Sequence, residues 1–199
     1  MSKYADIADR DAKKVSEEKL KVSFDYVHFD DEEFFFHGLE ASYYQKFFSC
    51  MSELQKSTER EIAQQNHASL KPKSIFNTDT SIKNSFPDCV IEQLKQKLFV
   101  ETRDSEDSIN KAIEITSRAF EISLGKNYGR IHGFLWNNTF HIVWPDPAHN
   151  LFPMGRKIKK HADAAVVRCF SPDECSRLQD KIRELQEENE ELYEAFAEQ

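Results

Sequence analysis

Residues 130–144, RIHGFLWNNTFHIVW, constrain this chain more than any other segment, because two β-rich runs meet at Asn137-Asn138. Asparagine tolerates positive φ, so the pair predicts a two-residue hairpin turn. The register follows: Trp136 faces Thr139, Phe134 faces His141 and His132 faces Val143. Alternation then sorts Ile131, Gly133, Leu135, Phe140, Ile142 and Trp144 onto one apolar face, which must pack on helices. The other face displays Arg130, His132, Phe134, Trp136, Thr139, His141 and Val143, and is expected to look outward. Pro145-Asp146-Pro147 then bends the chain, so that Arg130, His132, His141, Asp146 and His149 can converge at one end of the sheet.

Three chemistries are open to that group, beside a purely structural reading. His132, His141, Asp146 and His149 are ligand types for zinc or iron, but the HxxxH or HxH spacing that would bring them to one metal is missing. No metal and no cofactor are therefore expected. Arg130 with His132 and His149 could cleave a phosphodiester without a metal, the guanidinium stabilising developing phosphorane charge and an imidazole moving the proton. Phe134, Trp136, His141 and Asp146, together with the basic run Arg156, Lys157, Lys159 and Lys160, could instead bind bases and phosphates, or a protein partner. In the structural reading the histidines are hydrogen-bonded sheet residues under a covering segment, Asp146 orders a turn, and the basic run is a solvated face.

Upstream, residues 1–20 are charged and aperiodic and read as a flexible leader. Val22, Phe24 and Tyr26 alternate as a half-buried strand. From Ser42, a candidate N-cap, Tyr44, Phe47, Phe48, Met51 and Leu54 recur at helical spacing, predicting a helix to about Gln65. Residues 66–86 read as a long connection. Pro87 and Asp88 open a helix carrying Val90, Ile91, Leu94 and Leu98, and another begins near Ser105 or Asp107. Ala119–Leu124 reads as a strand. Four cysteines at wide, irregular spacing suggest neither a disulfide framework nor a metal knuckle.

The string RIHGFLWNNTFHIVWPDPAHNLFP, with SFDYVHFDDEEFF near the start, resembles an uncharacterised bacterial and mobile-element protein family whose C-terminal hairpin runs close to RxHGFxxxxxFxIVWxDPxHxLYP. The resemblance covers roughly residues 20–153 and matches at Arg130, His132, Gly133, Phe134, Phe140, Ile142, Val143, Trp144, Asp146, Pro147, His149 and Leu151. At His141 and Phe152 the family pattern carries Tyr, which weakens a metal reading at position 141. The resemblance implies a setting in bacterial defence or mobile elements but no agreed activity. The arrangement of helices and a small sheet is also similar in architecture to RelE-like ribonuclease toxins, an analogy that transfers no catalytic residues.

The tail carries a second strong signal. Ser171-Pro172-Asp173-Glu174 combines an N-cap, a first-turn proline and a capping-box spacing, opening a helix that can run to near Gln199. Leu178, Leu185 and Leu192 repeat every seven residues at d, with Cys175, Ile182, Asn189 and Phe196 at a, the pattern of a short parallel coiled coil. Leu178, Ile182, Leu185, Asn189, Leu192 and Phe196 are thus the candidate dimerisation residues. An intramolecular dock and a pairing with a different protein are the alternatives. Charge is segregated along the chain: residues 171–199 hold ten Asp/Glu against three Lys/Arg, whereas residues 124–170 hold seven Lys/Arg against two Asp. No stretch is apolar enough for a membrane span.

The expectation is an α+β protein: a flexible leader (1–20), a domain of helices packed on a small antiparallel sheet (21–170) and a coiled-coil dimerisation helix (171–199). Its expected role is that of a dimeric cytoplasmic interaction or nucleic-acid-associated module, with RNA or a protein as partner and, as the resemblance implies, a setting in defence or toxin–antitoxin systems. A metal-independent ribonuclease is the competing class.

Overall fold

A computed structural model describes residues 17–29, 31–76, 81–161 and 172–197, with side chains of the last helix described for 176–193. The elements are β1 (Lys21–Ser23), α1 (Ala41–Leu54), α2 (Glu59–Ala63), β2 (Lys73–Ser74), α3 (Asp88–Thr102), α4 (Ser105–Ser117), β3 (Ala119–Ser123), β4 (Arg130–Trp136), β5 (Thr139–Asp146) and α5 (Pro172–Ala197). The architecture is α+β. The chain divides into two compact units, one ending at Ala165 and the other beginning at Val166. The expected boundary at 170/171 and the Ser171 cap lie outside the described residues, as do residues 1–16 of the expected leader. The rest of that leader is built in: Lys19 bridges to Thr58 and Leu20 is buried.

Five strands form one sheet in the order β1-β5-β4-β3-β2. The sheet is mixed rather than wholly antiparallel, because β1 runs parallel to β5, with Val22 opposite Phe140. The strand expected to reach Tyr26 ends at Ser23; the chain turns there, exposing Phe24 and burying Tyr26. The β4–β5 turn falls at Asn137 (φ 49°) and Asn138 (φ 52°), both left-handed, as a two-residue hairpin of this twist requires. Trp136 pairs with Thr139 and Phe134 with His141.

Beyond Gly133↔Ile142 the register shifts by one residue, and His132 lies opposite Trp144 rather than Val143. A bulge of this kind interrupts the alternation on one strand. Trp144 therefore leaves the face of Ile142 and joins Phe134 and Val143 on the other side of the sheet. Gly133 is required at the bulge, since a Cβ there would sit 2.2 Å from the His141 carbonyl oxygen and 2.9 Å from the Phe140 ring.

Both faces of the sheet are buried, which corrects the expectation of an outward-looking mixed face. Ile131, Leu135, Phe140 and Ile142 pack with Phe47, Met51, Leu54 and Ile62 of α1 and α2. On the opposite face Phe134, Val143 and Trp144 pack with Val90, Leu94 and Leu98 of α3 and Ala112 of α4. The helix expected from Ser42 to Gln65 is two helices. α1 ends at Leu54, and Thr58 starts α2 with a capping box, its hydroxyl accepting from Glu61 N–H while the Glu61 carboxylate accepts from Thr58 N–H at 2.7 Å. A self-capped start there is a stronger local signal than continuation of the apolar stripe. Asp104 caps α4 through its side chain alone, accepting from Glu106 and Asp107 N–H at 2.8 and 3.0 Å.

Candidate anion-binding site

The site lies where β3, β4 and β5 meet the turn after Asp146. Glu121 on β3 is opposite His132 on β4, and alternation places Glu121, Arg130 and His132 on one face of the sheet. Arg130 opens β4 opposite Asp146, the last residue of β5. The bend at 146–151 returns the chain across this end, with His149 in a left-handed conformation (φ 60°).

Asp146 holds that bend in place. Its fully buried carboxylate accepts the backbone N–H of Asn150 at 2.7 Å and of Leu151 at 3.0 Å, and faces His132 Nε2 at 3.2 Å. Three partners on one buried acid satisfy it and fix the turn at once. Asn150, also buried, extends the lock: its amide donates to the carbonyls of Glu33 (2.8 Å) and Lys159 (2.7 Å) and accepts Lys159 N–H at 3.0 Å. The backbone of the basic segment is thereby tied to the same turn. Lys160 reaches the Glu32 carboxylate, so an acidic loop within the domain neutralises part of that segment.

Arg130 is the hub. One terminal nitrogen forms an ion pair with the buried Glu121, and its Nε donates to His149 Nδ1 at 3.1 Å. Burial pushes the guanidinium below its ordinary pKa, Asp146 opposes this and Arg156 adds to it, but the group stays charged. For His149, burial first and then the positive charges of Arg130 and Arg156 push the pKa below 6.5, against the pull of Asp146. The ring is neutral at pH 7. With Nδ1 occupied by an incoming donor, its single proton is on Nε2.

Arg130, His132, Asp146 and His149 thus come together, with Arg156 close enough to act on two of them. His132 is fully buried and touches Asp146 rather than solvent. Phe134, Trp136 and His141 belong to the other end of the hairpin and form an aromatic stack within the α3 side of the core. The His141 ring lies on Phe134 (centroids 5.0 Å apart, 20° between planes) and meets Tyr26 edge-on at 5.2 Å. Burial lowers its pKa to about 4, outweighing the opposing influence of the Trp136 backbone. A stacking platform for bases needs open ring faces. Phe134 and His141 have none, and Trp136 is half-buried.

Among the described residues no three His, Cys, Asp or Glu side chains are placed to hold a metal ion. Glu121 and Asn150 are residues of this cluster that the sequence reading missed. A lone acid in the apolar strand AFEIS was the available sign of the first; nothing local marked the second. In the second unit, Ile182, Leu185 and Leu192 on α5 are more than half exposed, whereas Phe196 lies outside the side chains described. No described helix is long and apolar enough to cross a membrane. No protein-family model, curated protein or solved structure matches this chain.

Proposed function

We propose that this chain is a dimeric, cytoplasmic, nucleic-acid-associated module that grips a backbone phosphate at Arg130 and His149. The observation that carries the reading is that this half-buried pair has only donors left to offer once its internal bonds are made: the remaining guanidinium N–H groups of Arg130 and Nε2–H of His149, with Arg156 alongside. A donor-only site flanked by cations selects an anion. Its acids, Glu121 and Asp146, are buried beneath it and act by positioning the donors.

Cleavage of RNA by Arg130, His132 and His149 would need a free base at the surface. His132 is enclosed, and His149 turns its bare nitrogen toward Arg130, so binding without turnover is the expected behaviour. The setting in a bacterial or mobile-element defence system draws its support from the resemblance of the hairpin string alone.

Fluorescence anisotropy of a labelled single-stranded RNA across a salt series tests the site. Arg130→Ala should weaken binding about tenfold or more, the loss of a charge-assisted hydrogen bond, and reduce the slope of log K against log salt by about one. Equal affinity and slope in wild type and variant would remove the proposal, and RNA fragments on a gel would favour the ribonuclease reading.

The dimer is proposed on the exposed heptad stripe of α5. Leu185→Asp should convert a dimer into a folded monomer in sedimentation equilibrium; a wild type that stays monomeric at tens of micromolar would end it.

A further inference from the structure

The two halves of α5 differ sharply in charge, and this bears on how two copies can meet. Residues 172–183 carry Arg177, Lys181 and Arg183 against Asp173, Glu174 and Asp180, a balanced set. Residues 184–199 carry seven Glu and no Lys or Arg. Within the described helix the basic residues already lean on local acids, Lys181 on Glu184 at 3.0 Å and Arg183 on Asp180 at 3.2 Å, all of them well exposed. The apolar stripe of Ile182, Leu185 and Leu192 runs through the junction of the two halves and is open along its length.

A parallel pair, the sense that the heptad alone suggests, would lay two acid-only halves side by side. Seven negative charges would lie level with seven, Glu188 beside the seam and the other six on the outer positions, within a distance comparable to the Debye length and with no cation among them. The flanking positions offer no relief, because Lys181 would face Gln186, and Glu188 would face Tyr193. The advantage of that sense is one paired amide layer at Asn189. Reversing one helix sets Ile182 against Leu192 and Leu185 against Asn189, keeping the apolar seam nearly whole. It also brings the stretch from Arg177 to Arg183 of each copy alongside residues 191–197 of the other, which hold Glu191 and Glu194 and no cation. The glutamates of residues 191–197 then lie beside cations, and the like-charged overlap shrinks from seven glutamates per copy to the four of residues 184–190.

We infer that the α5 stripe takes a second copy of this chain in antiparallel orientation. The inference rests on the homodimer proposed above and assigns its sense; the charge polarity of the helix selects it over the parallel seam.

Electron–electron dipolar spectroscopy on the full chain tests it, with a spin label introduced through an unnatural amino acid at position 176 or at position 187, so that the four cysteines stay unchanged. In the antiparallel pair the two copies of position 176 lie roughly 22 residues apart along the axis, giving a label separation of about 35 Å, whereas position 187 lies level with itself and gives under about 25 Å. That long-and-short pair of distances is the expected result. Distances under about 25 Å at both positions would overturn the antiparallel assignment while leaving the homodimer standing. No dipolar signal at either position, with a monomer in sedimentation, would overturn both.

Discussion

Replacing His141 by Phe should flatten one component of the acid sensitivity of the fold. The ring is 6% exposed, stacked on Phe134 and wedged against Tyr26, so the folded protein accommodates it only as neutral imidazole. Its pKa is about 4 in the folded chain and about 6.5 in an unfolded one. Because the unfolded chain takes up the proton first, the contribution to stability is full above pH 7. It falls as the pH drops through 6.5, and is exhausted below 4. The span corresponds to about 3 kcal/mol, of which about 2 kcal/mol is gone by pH 5. Phenylalanine matches the ring in shape and stacks on the same neighbours without titrating. Urea unfolding at pH 7.5, 6, 5 and 4.5 on wild type and His141→Phe gives the difference directly, since the other titrating groups cancel. The variant should gain about 2 kcal/mol on wild type between pH 7.5 and pH 5. A difference that stays constant across the series would refute the reasoning that the buried ring must be uncharged.

Two further substitutions probe the frame of the site. Gly133→Ala should destabilise the domain by about 3 kcal/mol or more, measured as a fall in the urea midpoint, because the new methyl meets a backbone carbonyl that cannot yield without breaking the β4–β5 pairing; a midpoint within error of wild type would mean that the bulge is misplaced. Asp146→Asn should lose about 2 to 3 kcal/mol in the same assay, because an amide nitrogen would face one of three buried donors. It should also weaken RNA binding at pH 7 under native conditions, through the loosened turn of His149; unaltered binding would show that the turn needs no such anchor.

The hairpin was legible because its turn chemistry is local: Asn137 and Asn138 supply the left-handed pair and fix the pairing of the strand ends nearest to them. The bulge was not, since alternation in the sequence presumes an uninterrupted ladder, and the reason for the shift, a carbonyl packed against the α-carbon of Gly133, is a contact between strands. Phe134, Trp136 and Val143 on the supposedly outward face were the warning that this face would be covered. A strand that is apolar on both sides asks for two layers of helix, and α3 and α4 provide the second. Of the five residues expected from the hairpin and the proline bend to converge, Arg130, His132, Asp146 and His149 do, whereas His141 lies on Phe134 at the other end of the hairpin. The role of Glu121 could not follow, because pairing β3 with β4 in the correct register is a tertiary event, and only that register puts a buried carboxylate behind the guanidinium. The break between α1 and α2 was written in Thr58-x-x-Glu61, but an apolar stripe continuing to Ile62 masked it.

The claim on which this account turns is that His149 offers a proton donor, not a base, to an anion beside Arg130. Long-range ¹H–¹⁵N correlation of the imidazole nitrogens at pH 7, before and after adding a short RNA, tests it most directly. The account predicts a neutral ring protonated at Nε2, with the Nε2 resonance moving on titration and Nδ1 retaining its acceptor shift. A ring protonated at Nδ1, or resonances that stay where they were at saturating RNA, would contradict it.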